Sequence, residues 1–191
     1  MTAQIKNVKL NISVFFAAAV TFMLIFAPDG SALTGLFCCI AHEAGHLVFI
    51  KLFGAKVSTV YFGVYGMRIE TSGTLRLSHL KEAAVAFAGP ALNIAFIIIG
   101  LIIKNSRFVN INAALALLNL MPVGKTDGRN ILYNLLIRTQ NVQKTEKALR
   151  MTGAVFLGII YFFAFAVFIK SGYNFSLFAA AVYITALFLS G

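Results

Sequence analysis

The sequence predicts an all-α polytopic membrane protein, with about six transmembrane helices and one short membrane-associated β-hairpin between the second and the third. Three observations predict it. Of the 191 residues, 60% are hydrophobic and 12% charged, about half the charged share of a soluble domain, and the mean hydropathy is +0.87. Four stretches long enough for a span carry no charged residue. The sixteen Lys and Arg fall in the connections between such stretches. A water-soluble globule is excluded.

The first span, about 10–27, follows Lys6 and Lys9; its apolar run is longer than a signal-peptide core and no small-residue cleavage site follows, so it reads as a retained anchor. The second, 31–53, is apolar apart from His42, Glu43 and His46 in its interior and Lys51 near its end. Residues 57–75 follow as a hairpin: Val57 to Gly73 is rich in Val, Tyr, Thr and Ile and is punctuated by Gly63, Gly66 and Gly73. Open strand edges cannot face lipid, so this hairpin belongs at the interface or against the helices, as a structural loop or as an edge to which an extended peptide adds. The third span, 83–103, contains Pro90, a kink site. The fourth, 108–122, is short and closed by Pro122. Spans at 151–169 and 173–190 complete the set, and Arg138 to Arg150 reads as a solvated connector or surface helix. The whole chain, 1–191, reads as one transmembrane domain, with no repeat and no second domain.

Six spans put both termini on one side. Thirteen Lys and Arg then fall on that side, and only Lys104, Arg107 and Lys170 on the other. This bias predicts cytoplasmic termini and explains the net charge of +10 without nucleic acid. Cys38 and Cys39 are adjacent, so they frame no disulfide; Cys38, one turn before His42, reads as a small apolar residue rather than a ligand.

Within the second span, His42, Glu43, Ala44, Gly45 and His46 spell H-E-x-x-H. Residues four apart share a helix face, so the two imidazoles can address one metal while Glu43 stands at its edge as general base. Ionisable groups inside a membrane segment are costly, and such groups are rarely idle. A catalytic zinc commonly takes three protein ligands and keeps one position for water. Asp29, Glu146 and His79 are poorly placed for the third; Glu70 or Glu82 would define a different membrane zincin. Asp127 remains, in Asn119-x-x-Pro122-x-x-x-x-Asp127-Gly128, where Pro122 ends the helix and Gly124 and Gly128 permit turns back toward the membrane. The second and fourth spans both run inward, so His42, His46 and Asp127 are all expected in the cytoplasmic half of the bilayer, with one zinc per chain.

The pair of motifs, H42-E-A-G-H46 and N119-x-x-P-x-x-x-x-D127-G, resembles the site-2 protease family of intramembrane zinc metalloproteases. Gly89, Pro90 and Asn93 resemble that family's G-P-x-x-N element, and the strand-rich insert resembles its membrane-associated hairpin. The six-span pattern is most similar to the compact branch that includes the sporulation protease processing pro-sigma-K. The resemblance covers about residues 30–135; it departs where many relatives have a second Gly after Asp-Gly and this chain has Arg129, and neither a PDZ nor a CBS domain is expected.

The resemblance implies a bacterial cytoplasmic membrane and substrates that are membrane-tethered precursors, anti-sigma factors or remnant signal peptides. The expected activity is zinc endopeptidase cleavage within or near a transmembrane substrate segment. Glu43 takes a proton from the attacking water and returns it to the leaving amine. Asn93 and Asn119 offer amide donors and acceptors to the substrate backbone, or else join helices to each other. A zinc or proton transporter built on the same His and Asp residues, and a non-catalytic membrane scaffold, are the alternatives; an intact Glu43 argues against both. Oligomeric state is left open.

Overall fold

A computed structural model describes residues 2–5, 8–27, 30–63, 66–72, 77–170 and 175–189. Lys6, Asp29, Arg76 and the hairpin positions 73–75 lie outside the described residues. The chain divides into two compact units, residues 1–116 and 117–191.

The first unit begins with strands β1 (Thr2–Ile5) and β2 (Val8–Ile12), followed by helices α1 (Val14–Phe26) and α2 (Ser31–Leu52). Strands β3 (Lys56–Gly63) and β4 (Gly66–Ser72) come next, then α3 (His79–Ile102). Helix α4 (Ser106–Leu120) carries the chain into the second unit. There α5 (Asp127–Leu136), α6 (Val142–Lys170) and α7 (Ser176–Leu189) follow.

Two features correct the expectation of helices with a single hairpin. The hairpin exists, β3 pairing antiparallel with β4 from Lys56↔Ser72 to Gly63↔Gly66, with a bulge between Val57 and Thr59. It is half of a four-stranded sheet in the order β1-β2-β3-β4. Strand β2 joins β3 in parallel, Lys9 facing Thr59 and Ile12 facing Phe62, and the Phe16 ring meets Phe62 at 5.6 Å. The reason is local: Val8, Leu10 and Ile12 alternate with Lys9, Asn11 and Ser13, a period of two that suits a strand and not a helix. The first helix is therefore shortened to 13 residues.

Among the described residues, three helices are long and apolar enough to cross a membrane: α2, α3 and α6, of 22, 24 and 29 residues. Helix α6 runs unbroken from Val142, so the polar stretch up to Arg150 is its first turns rather than a separate connector. Helix α3 likewise continues through Pro90.

Packing follows the rule of a lipid-solvated protein, small residues inside and large ones outside. In the first unit the buried apolar side chains are mostly alanines, among them Ala32, Ala83, Ala86, Ala88 and Ala116, whereas Phe15, Leu101 and Ile102 are exposed. Helices α2 and α3 approach so closely at Gly45 that a Cβ there would stand 2.8 Å from the Ala88 carbonyl oxygen. In the second unit Val123, Leu157 and Ile184 form a buried cluster flanked by Met121, Ile160 and Phe188.

Candidate metal centre

The 3.6-residue repeat of α2 stacks His42 and His46 on the face turned to α3, and both are buried, 4% and 7% exposed. Their Nε2 atoms lie 3.2 Å apart, with the two rings edge to face at 81°. Each Nδ1 points the other way, to an oxygen. His46 Nδ1 is 2.7 Å from the Val85 carbonyl, which only accepts, so this nitrogen carries the proton. His42 Nδ1 is 2.5 Å from Asn93 Oδ1 and carries its proton for the same reason. In a neutral ring each of these protons leaves the lone pair on Nε2, and the two Nε2 atoms face one space.

Facing lone pairs repel unless a cation lies between them. A tetrahedral zinc with Zn–N bonds of 2.0–2.1 Å requires about 3.3 Å between two ligand nitrogens, close to the separation found. The neighbouring helix leaves room for it. Gly89 of α3 faces the pair, and a Cβ there would come within 2.6 Å of His42 Nε2 and closer still to His46 Nε2. Glycine thus keeps open the space that the lone pairs address. The donor set, its oriented protons and this gap together fit a divalent metal of the zinc type.

Glu43, next to His42 on α2, is half-buried. Asn93 is completely buried and engaged at both ends of its amide, Oδ1 by His42 and Nδ2 donating to Asn112 Oδ1 at 2.8 Å. Joining helices and holding His42 is therefore the role its geometry shows, rather than an open contact for substrate. Cys38 Sγ accepts from Asn112 Nδ2 at 3.2 Å and is also completely buried. Asn112 drew no attention in the sequence, because an amide in an apolar run has no diagnostic spacing. Its position seven residues before Asn119, on the same helix face, was the one available signal.

In the second unit, Asn119 lies in the last turn of α4 and is half-buried. Asp127 is the first residue of α5 and is also half-buried. Thr126 caps that helix: its Oγ1 donates to the Met121 carbonyl and accepts from the Arg129 N–H at 3.4 Å. The turn from α4 includes Gly124 at φ 65°, a left-handed conformation that glycine adopts without strain. Arg129, where relatives of the resemblance have Gly, pairs with Glu146 of α6 at 2.9 Å. The other carboxylates considered from sequence as a third ligand, Glu70 and Glu82, lie in β4 and in the first turn of α3; Glu82 stands 4.0 Å from His79.

No family model matches the chain, and no curated protein matches its sequence. Three solved chains match it in structure. One is described as the site-2 protease from Methanocaldococcus jannaschii; it is 16% identical, with a TM-score of 0.65 over 98% of this chain and 92% of that one. At that identity the likeness is one of fold: the chain is folded like that protein over nearly its whole length.

Proposed function

We propose that the chain is an intramembrane zinc metalloendopeptidase of the site-2 protease type, cleaving membrane-tethered substrates within or near their transmembrane segments. The observation that carries this reading is the pair of oriented imidazoles. Their two Nε2 lone pairs meet at 3.2 Å beside Gly89, one residue from a carboxylate. A transporter needs ligands but has no use for Glu43 next to the first of them.

His42 and His46 are two ligands and Asp127 the third. The sequence supports Asp127 through the Pro122 and Asp127-Gly128 pattern, and its place at the start of a capped helix fixes its backbone. Bound zinc would supply a Lewis acid that polarises the scissile carbonyl and acidifies the attacking water. Glu43 accepts the proton of that water and delivers it to the leaving nitrogen. Val85 and Asn93 hold the imidazoles in the tautomer that puts the ring lone pair on Nε2. Asn119, in the last turn of α4, remains the candidate contact for the substrate backbone.

Six crossings are the arrangement that a parity argument favours. Hydrogen-bonded neighbours β2 and β3 lie on one side of the membrane, so the chain between them crosses an even number of times. With α2 crossing, α1 crosses too, although 13 residues rise only about 20 Å against a hydrocarbon core of roughly 30 Å. Helices α4 and α7, of 15 and 14 residues, complete the count, close to the compact branch that processes pro-sigma-K. The Lys and Arg bias supports cytoplasmic termini and a site on the cytoplasmic side, and the family resemblance supports a bacterial membrane.

The test is purification in detergent, determination of bound metal, and cleavage of a helix-destabilised transmembrane peptide by wild type and Glu43→Gln at matched zinc content. Cleavage lost with zinc retained supports the protease and the role of Glu43. Equal cleavage by both forms overturns the mechanism; no cleavage by either, with zinc flux into liposomes, overturns the protease in favour of transport.

A further inference from the structure

The tautomer of His46 is fixed by a backbone carbonyl, but that of His42 is fixed by an amide, and an amide is ambiguous. Asn93 can accept through Oδ1 or, turned by half a revolution, donate through Nδ2. In the second orientation it would donate a hydrogen bond to His42 Nδ1, which would place the histidine proton on Nε2 and remove the lone pair there. Something must hold Asn93 one way round.

A chain of hydrogen bonds does so. Asn112 Nδ2 donates to the Phe108 carbonyl at 2.9 Å and to Cys38 Sγ at 3.2 Å. The carbonyl is an acceptor and nothing else, so Asn112 must present its Oδ1 to Asn93, where it accepts from Asn93 Nδ2 at 2.8 Å. Asn93 must then present Oδ1 to His42. Turning Asn93 alone would set Oδ1 against Oδ1; turning both amides would set Asn112 Oδ1 against the Phe108 oxygen. Cys38, Asn93 and Asn112 are all 0% exposed, which leaves no bulk water to satisfy a reversed amide, and an unmet buried amide is costly.

We infer that Asn112 of α4 is a positioning residue for the metal centre, setting through Asn93 which nitrogen of His42 carries the ring proton and which presents its lone pair. This deepens the zinc reading and rests on it. The relay has a direction, from a backbone carbonyl on α4 through α3 to the ligand on α2, and it makes the two histidines unequal: only His42 depends on it.

The experiment measures zinc affinity by chelator competition, and the tautomer of His42 in metal-free protein by ¹⁵N NMR, for wild type, Asn112→Leu, Asn93→Asp and Asn93→Asp/Asn112→Leu. Leucine is near in size and cannot relay. Asn112→Leu is expected to lower zinc affinity 10–100-fold and to move His42, not His46, toward the Nε2–H form. The carboxylate introduced by Asn93→Asp accepts through either oxygen, so the double variant is expected to keep Nδ1–H and to bind zinc within a few-fold of Asn93→Asp alone. Unchanged affinity and tautomer in Asn112→Leu would overturn the relay, as would a double variant as weak as Asn112→Leu, which would make the effect one of packing. Should Asn112→Leu not fold, an Nε2–H His42 in metal-free wild type overturns the proposal by itself. Failure of wild type to bind zinc, with the tautomer still switched by Asn112→Leu, would instead remove the metal reading and leave the relay standing.

Discussion

Replacing Gly89 by alanine adds one methyl group where the two imidazoles converge. The new Cβ would lie 2.6 Å from His42 Nε2, and an ordinary contact begins at 3.4 Å, so the ring must retreat by the difference, 3.4 − 2.6 = 0.8 Å. Zinc ligation tolerates about 0.2 Å, and the displacement is about four times that. His46 is crowded more severely. A loss of at least about 100-fold in zinc affinity is expected, equivalent to about 2.8 kcal/mol at 1.4 kcal/mol per tenfold. Helix propensity alone would favour the alanine by about 1 kcal/mol, so global destabilisation is not the expected cause. The assay is chelator competition in detergent with helical content followed by circular dichroism. Gly35→Ala is the control, since nothing lies within 4 Å of a Cβ there; it should leave zinc binding unchanged. Wild-type affinity in Gly89→Ala with full zinc occupancy would refute the argument that Nε2 convergence and the gap beside it constitute the site.

Thr126→Ala removes the cap of α5 and should cost about 1 kcal/mol in the second unit, read as a lowered thermal midpoint. Thr145 is fully buried with no partner for its hydroxyl among the described residues, so Thr145→Val should raise that midpoint, since valine keeps the shape and removes the unmet polar atom. The Arg129–Glu146 pair is partly exposed, at 21% and 38%. A double-mutant cycle there should return no more than about 1 kcal/mol, shrinking as salt is raised.

Some parts of the molecule write themselves into sequence more plainly than others. His42, Glu43 and His46 were legible because four-residue spacing on a helix is a geometric statement, and their rarity in an apolar run marks them. The long apolar helices α2, α3 and α6 were legible for the same reason of contrast. Strand β2 was not: Val8 to Ile12 alternates over only five residues and merges into the apolar run of α1, so a window wide enough to find a span averages it away. Helix α5 was missed because it is 10 residues long and follows a motif that drew attention to its first residue alone. Asn112 shows in the sequence only as an amide seven residues before Asn119, and the orientation of Asn93 does not show at all. An amide declares its donor and acceptor ends only when its neighbours are known, and those neighbours lie 19 and 74 positions away.

The parallel pairing of β2 with β3 has a consequence for how the chain is made. Lys9 meets Thr59, 50 positions downstream, so β2 is synthesised well before its partner. Until β3 is made, the edge of β2 that it will occupy has no strand beside it. Closing so distant a contact is intrinsically slow, and waiting edges invite wrong partners. The early pairing of β1 with β2, Thr2 opposite Asn11 and Ile5 opposite Val8, masks the opposite edge from the start. The amino-terminal hairpin therefore covers one edge of β2 through a local contact, and the other edge closes only over the long sequence distance to β3.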